Sequence, residues 1–115
     1  MIILGIDPGT ATTGYGIIRS RPKKGGEFDV LEFGVITTKR GETDASRLAT
    51  IARDLMALIK KYKPERVGIE KLFFTNNQKT AMTVAQARGV SLLTCEQAKL
   101  TIVEFTPLQV KSTLC

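Results

Sequence analysis

The stretch LGIDPGTATTGYGII, residues 4–18, places one acid in the middle of an apolar run and follows it at once with a turn. The acid is Asp7, and the turn begins with Pro8 and Gly9, which favour a change of chain direction. The apolar residues on both sides of this turn predict two strands that pair as a hairpin. A carboxylate inside such a strand looks buried, and burial of a charge is costly unless the charge has a partner.

The rest of the chain predicts a mixed α/β order. The five predicted strands are residues 2–7, 14–20, 28–38, 66–70 and 100–105. The first three follow one another as a meander, and each later strand follows a helix. A meander continued by crossover units gives a mixed five-stranded sheet with helices packed on it. We therefore predict one α/β domain over residues 1–115.

Two helices are predicted between these strands. The N-cap candidates of the first helix are Thr43, Asp44 and Ser46. Its apolar residues recur every three or four positions, and it ends before Pro64. The second helix covers residues 76–97. Within it, Gly89 lowers helix propensity by about 1 kcal/mol relative to alanine, and we expect it to allow close approach to the sheet. A third helix is expected to begin at residue 106.

Composition excludes several classes of protein. The chain is 43% hydrophobic, which suffices for one packed core, and it has no apolar run of the roughly 20 residues that span a bilayer. Cys95 and Cys115 give no disulfide framework, so an intracellular protein is expected. The absence of histidine removes imidazole bases and histidine-bound zinc. A net charge of +6 and a pI of about 9.6 favour polyanionic partners.

A second acid, Glu70, stands at the end of a strand in RVGIEKLFF, residues 66–74. In a mixed sheet its strand can lie beside the strand of Asp7, and both carboxylates then enter one site. Such a pair suits a hard cation such as Mg²⁺. Two such ions about 4 Å apart can hydrolyse a phosphodiester. Two simpler interpretations stay open: Asp7 can be a turn former, and Glu70 can pair with a neighbouring basic residue.

Three blocks, LGIDPGTATTGYGII, IEKLFFTNNQKTAMTVAQARGV and TPLQVK, resemble in this order the RuvC family of bacterial Holliday-junction endonucleases. The resemblance covers the whole chain. It implies an RNase H-like fold and a homodimer that resolves four-way DNA junctions. It also implies catalysis with Mg²⁺ or Mn²⁺, two ions in a complete site, and cooperation with RuvA and RuvB in the bacterial cytoplasm.

The resemblance also assigns residues. Asp7 and Glu70 match the first two catalytic acids and metal ligands of the family. Candidate DNA-binding residues are Phe73, Phe74, Asn76, Asn77, Lys79 and Lys111. Phe73 matches an aromatic that stacks at the crossover, and Lys111 matches a basic residue near the catalytic site. The polar residues 76–79 precede or open a helix, where phosphate binds well, although helix capping explains the asparagines equally well.

The sequence departs from the family pattern after Glu70. The family carries two further acids on a C-terminal helix, whereas the later acids here, Glu96 and Glu104, do not match them. We expect a truncated chain, or else a naturally short relative, and little or no cleavage by this polypeptide. Two alternatives remain. The chain can be a non-catalytic nucleic-acid-binding module, or it can be an ATP-binding domain of the actin and Hsp70-like superfamily. The segment GIDPGT resembles the first phosphate-binding loop of that superfamily.

Overall fold

Five strands and two helices make up the described part of the chain. The computed structural model describes residues 1–9, 12–21, 27–39, 41–70 and 78–105, with the backbone alone for residues 27, 78–80 and 105. The elements are β1 (Ile2–Pro8), β2 (Thr12–Arg21), β3 (Glu27–Thr37), α1 (Asp44–Tyr62), β4 (Arg66–Glu70), α2 (Gln78–Gln97) and β5 (Thr101–Phe105). Each lies within two residues of its predicted bounds. The helix expected from residue 106 lies outside the described residues.

The five strands form one mixed sheet in the order β3-β2-β1-β4-β5. β1 pairs antiparallel with β2, and β2 pairs antiparallel with β3. β4 pairs parallel with both β1 and β5. This is the predicted meander followed by two crossover units. Since β1 and β4 are parallel neighbours, their carboxyl ends meet at the same edge of the sheet.

Helix α1 begins and ends with recognisable caps. The Thr43 hydroxyl accepts a hydrogen bond from the Ser46 N–H at 3.1 Å, so Thr43 is the N-cap among the three candidates. At the other end Lys63 adopts a left-handed conformation, with φ of 50°, and its N–H donates to the Ile59 carbonyl at 2.8 Å. Pro64 follows, which prevents continuation. Local chemistry therefore decides both ends of this helix.

Both helices pack on the same face of the sheet and against each other. The buried apolar side chains between helices and sheet are Leu4, Ile6, Ile17, Ile36, Ile51, Leu55, Ile59, Val67, Ile69, Ala87 and Cys95. Each fully buried leucine or isoleucine contributes about 1.5–3 kcal/mol relative to exposure. Alternation along β1 and β4 sends Ile6 and Ile69 into this core. The residue after each of them therefore points to the opposite face.

Helix α2 is turned differently from the sequence prediction. Gly89 faces outward, and a Cβ built there meets no atom within 4 Å, so the expected close approach of Gly89 to the sheet is wrong. The inward side instead carries Ala87 and Ser91. The Ser91 hydroxyl donates to the Ala87 carbonyl at 2.8 Å, which satisfies it inside the core. Small inward residues, rather than the glycine, bring α2 close to the strands.

The other face of the sheet carries exposed apolar side chains. On the edge strand β3, Phe28 is 51% exposed and Phe33 is 79% exposed. Val103 on β5 is 49% exposed. Phe33 lies opposite Gly16, and Val103 lies opposite Gly68. We call this side the open face; within the described ranges both helices lie on the other side.

In the described part of the chain no helix combines the length and apolar character that a membrane span needs.

A polar cluster ties strand β3 to helix α1. The Tyr15 hydroxyl donates to one carboxylate oxygen of Glu32 at 2.8 Å, and the Tyr62 hydroxyl donates to the other at 2.7 Å. Lys61 lies 3.6 Å from the same carboxylate. The bonds from Tyr62 and Tyr15 hold the pKa of Glu32 below its ordinary value. The cluster fixes the edge strand to the helix by contacts distant in sequence.

Candidate active site at the carboxyl ends of two strands

Asp7 and Glu70 lie side by side at one edge of the sheet. The register places Ile6 beside Ile69, and continuing it by one residue places Asp7 beside Glu70. Neighbouring strands are about 4.8 Å apart. Since Ile6 and Ile69 are buried among the helices, both acids point to the open face. The structure thus brings together two side chains that are separated by most of the chain.

The two carboxylates interact directly. The pKa of Glu70 is raised above its ordinary value, first by burial, then by a hydrogen bond with Asp7, and then by the negative charge of Asp7. Glu70 is half-buried and Asp7 is exposed. The sequence interpretation of Asp7 as a buried carboxylate is therefore wrong, because β1 turns it away from the helices.

A shallow cavity of about 350 Å³ opens in front of these acids. Its lining residues are Gly5, Ile6, Asp7, Gly14, Tyr15, Gly16 and Glu70. Gly5 and Gly16 lie opposite each other on β1 and β2, and a Cβ at Gly16 meets no atom within 4 Å. Glycine inside a strand often marks a place where another backbone or a ligand approaches closely. Gly5, Gly14 and Gly16, which we call the glycine row, keep the surface beside the acids free of side chains.

The donor set fits a divalent cation. Carboxylate oxygens are hard ligands, and Mg²⁺ is usually held by one or two carboxylates together with water and phosphate oxygens. Asp7 and Glu70 supply two such groups on one accessible surface. No cluster of three or more histidine, cysteine, aspartate or glutamate residues occurs in the described ranges. Asp7 and Glu70 are therefore two candidate ligands in these ranges, and a cation bound there would need further oxygens to complete its coordination.

The later acids are engaged elsewhere. Glu104 lies opposite Ile69 on β5, on the helix side of the sheet, and forms an ion pair with Arg88 of α2. Glu96 lies near the carboxyl end of α2, where it is exposed. Neither joins the acid pair. This agrees with the sequence observation that neither residue matches the later acids of the RuvC family.

The DNA-binding candidates stay predictions. Phe73, Phe74, Asn76, Asn77 and Lys111 lie outside the described residues. The backbone of Lys79 belongs to the first turn of α2, but its side chain is not described.

Sequence reasoning missed the glycine row as part of the site. The available signal was the recurrence of glycine inside apolar strands, where glycine is normally depleted.

Comparisons of the sequence with known proteins identify one family. The family model described as crossover junction endodeoxyribonuclease RuvC matches residues 3–115. A RuvC from Caldicellulosiruptor saccharolyticus is 50% identical over 114 residues, which is 99% of this chain and 68% of that protein. A RuvC from Syntrophomonas wolfei is 49% identical over 111 residues, 96% of this chain and 63% of that protein. The chain thus spans about two thirds of the length of these relatives.

A solved structure agrees with the fold. The structure of Thermus thermophilus RuvC in complex with a Holliday junction substrate matches with a TM-score of 0.90 and 26% identity. The match covers 99% of this chain and 71% of that one. It confirms the RNase H-like fold predicted from the sequence. The chain belongs to the crossover junction endodeoxyribonuclease RuvC family.

Proposed function

We propose that this chain carries the acidic metal site of a structure-selective endonuclease that resolves four-way DNA junctions in recombination and repair. One observation carries the proposal: Asp7 and Glu70 share a single open cavity, where burial and the neighbouring Asp7 carboxylate raise the pKa of Glu70. A carboxylate pair of this kind has few structural uses, because its mutual repulsion destabilises the protein without a cation. Membership of a family of endonucleases supplies the reaction class.

The acids and the glycines of the cavity have different roles in the proposed reaction. Asp7 and Glu70 would hold and orient Mg²⁺ or Mn²⁺, with two ions in a complete site. When bound, the ions supply an activated water and stabilise the leaving oxygen of the phosphodiester. The exposed position of Asp7 keeps the site open to a DNA backbone. Gly5 and Gly16 present no side chain that would hold that backbone away from the acids.

The proposed substrate is a four-way junction. A net charge of +6 favours a polyanion, and the Thermus relative was solved with such a junction. We assign Phe73 and Phe74 to stacking on bases at the crossover, worth about 1–3 kcal/mol per base. The phosphate contacts are assigned to Asn76, Asn77, Lys79 and Lys111. The family resemblance further supports a homodimer that works with RuvA and RuvB in the bacterial cytoplasm.

A binding experiment tests the metal site in this chain. Affinity for a fluorescent four-way junction and for a duplex of equal length is measured by anisotropy, with Mg²⁺, with Mn²⁺ and with chelator. We expect the junction to be preferred and the metal to strengthen its binding. Asp7→Asn should remove the metal effect, whereas Asp44→Asn, which removes an exposed acid at the start of α1, should not. Binding that ignores both metal and Asp7→Asn would identify a non-catalytic binding module.

A chimera tests catalysis. Residues 1–115 replace the aligned part of the Caldicellulosiruptor relative, whose own remaining third completes the protein. We expect metal-dependent junction cleavage by the chimera, loss of cleavage in its Asp7→Asn and Glu70→Gln variants, and little cleavage by the 115-residue chain alone. A chimera that melts cooperatively and binds junctions but never cuts them would overturn the endonuclease proposal. Tight ATP binding, measured by calorimetry, would favour the ATPase alternative instead.

A further inference from the structure

The segment of β2 from Gly14 to Gly16 supports the acid site from the side. Gly14 lies opposite Asp7, and a Cβ built on Gly14 would come 3.7 Å from the Asp7 Cβ. In the described part of the chain β1 pairs with β4 as far as Ile6, whereas its pairing with β2 continues through Asp7 and Pro8. The backbone of β2 at Gly14 is therefore the strand partner that holds the Asp7 backbone in place.

The packing of this segment depends on Tyr15, because its other two residues have no side chain. Thr13 and Ile17, two residues to either side of Tyr15, are buried on the helix side of the sheet. Alternation turns the Tyr15 side chain to the same side, away from the acid cavity. Glycine in a strand has no side chain to pack and leaves the backbone more conformational freedom. Tyr15 is thus the one residue of the segment whose side chain can restrain it.

The ring of Tyr15 lies across Gly34 of β3. The two residues face each other in the register, and a Cβ built on Gly34 would come 2.9 Å from the Tyr15 Oη and 3.2 Å from its Cζ. These distances are shorter than ordinary van der Waals contacts, so only glycine leaves room for the ring. With the ring in this position, the Tyr15 hydroxyl donates to Glu32 at 2.8 Å. Gly34 therefore sets the direction in which Tyr15 reaches.

Glu32 connects Tyr15 to a second element of the fold. Its other carboxylate oxygen accepts a hydrogen bond from the Tyr62 hydroxyl at 2.7 Å, and Lys61 lies 3.6 Å from the carboxylate. The hydrogen bonds to Glu32 raise the pKa of both tyrosines above the ordinary value, so both hydroxyls stay protonated donors at neutral pH. A continuous connection thus runs from the segment beside Asp7, across β3, to the last turn of α1.

We propose that Tyr15 is a positioning residue of the acid site: by bonding Glu32 it fixes the backbone from Gly14 to Gly16 and so holds Asp7 in place beside Glu70. The inference rests on the proposed function, since it concerns the same metal site. Tyr15 points away from the acids and contacts neither the cation nor DNA through its side chain. It acts through the backbone of β2, which lines the cavity.

Hydrogen exchange followed by NMR tests the restraint without metal or DNA. Tyr15→Phe keeps the ring and removes its hydrogen bond, whereas Tyr62→Phe removes the other hydrogen bond to the same carboxylate and is the matched control. We expect the amides of Gly14 and Gly16 to exchange roughly three- to tenfold faster in Tyr15→Phe, relative to the buried Leu55 of the same protein. Equal acceleration in both variants, or none in Tyr15→Phe, would overturn the proposal.

Manganese affinity, measured by electron paramagnetic resonance of free Mn²⁺, tests the consequence for the site. We expect the dissociation constant to rise about three- to tenfold in Tyr15→Phe and to stay near the wild-type value in Tyr62→Phe. Gly34→Ala displaces the ring but keeps the hydroxyl, and it should resemble Tyr15→Phe. Circular dichroism melts confirm that each variant folds, and a purely structural tie would give Tyr15→Phe and Tyr62→Phe the same affinity.

The two proposals fail in different ways. If the wild type binds Mn²⁺ and Tyr15→Phe binds it equally well, the positioning role of Tyr15 is wrong and the metal site stands. If the wild type does not bind Mn²⁺, the metal site is wrong, and the role of Tyr15 in it is wrong as well.

Discussion

Replacing Glu70 by glutamine should stabilise the metal-free protein and weaken its response to metal. The substitution keeps the shape of the side chain and removes one of two adjacent negative charges. Since Asp7 is exposed and Glu70 is half-buried, the relief of repulsion is modest, a few tenths to about 1 kcal/mol. A gain of about 1 kcal/mol raises the melting temperature of a domain of this size by a few degrees.

The pH dependence of this gain has a defined sign. The folded-state pKa of Glu70 is raised, so the folded protein holds a proton that the unfolded chain releases. Stability of the wild type therefore falls as pH rises from the ordinary glutamate pKa through the raised one. The Glu70→Gln variant has no carboxyl group at this position, so its stability should not fall over this pH range for this reason. The difference between the two proteins should be small in acid and should reach its full size at about pH 8, well above ordinary carboxyl pKa values.

Added metal should make the wild type more stable than the Glu70→Gln variant. A ligand that binds only the folded state at ten times its dissociation constant adds about 1.4 kcal/mol. The wild type should gain this amount with Mg²⁺ or Mn²⁺, and Glu70→Gln should gain much less because one ligand is lost. Urea unfolding followed by circular dichroism, with metal and with chelator, measures both effects. Glu96→Gln removes an exposed acid of α2 and serves as the control.

Three results would refute the reasoning. If Glu70→Gln lowers stability in chelator, the side chain has a structural partner and the carboxylates do not repel. If the variant keeps the full metal response, the cation binds elsewhere. A wild type with no response to either metal would also count against the site.

Three further predictions concern the fold and the cavity. Glu32→Gln should lower the free energy of unfolding, because it weakens the hydrogen bonds from Tyr15 and Tyr62. Since the folded-state pKa of Glu32 is lowered, this loss should be present above the ordinary glutamate pKa and should shrink as pH falls. Urea unfolding at several pH values measures the effect. Leu55→Ala should lower the free energy of unfolding by about 2–5 kcal/mol, because Leu55 is fully buried. Leu93→Ala, at an exposed site, should change it by less than about 0.5 kcal/mol at low protein concentration. Similar urea midpoints for the two variants would contradict the assigned core. Gly16→Ala should leave the melting temperature nearly unchanged, since a Cβ at this position meets no atom within 4 Å. It should weaken metal-dependent junction binding, measured by anisotropy. Unchanged affinity would show that the glycine row is not part of the site.

The site divides into a part that the sequence predicts and a part that it does not. Asp7 and Glu70 each end a predicted strand, and the predicted order of elements allows those two strands to lie side by side. The structure shows that they are parallel neighbours. The tie between Glu32 and Tyr62 has no such signal. Their hydrogen bond joins an edge strand to the last turn of α1, and nothing local to either residue indicates the other.

The sequence by itself determined the elements, their order and the family, because strand periodicity, the Thr43 cap, the stop at Pro64 and the three motif blocks are local features. Only the tertiary structure decided which side of each element is covered. It turned Asp7 to the open face and Gly89 to the outside of α2, against expectation. The physical reason is that apolar and small residues occur on both sides of these elements. Which side is buried then depends on partners far away in the sequence.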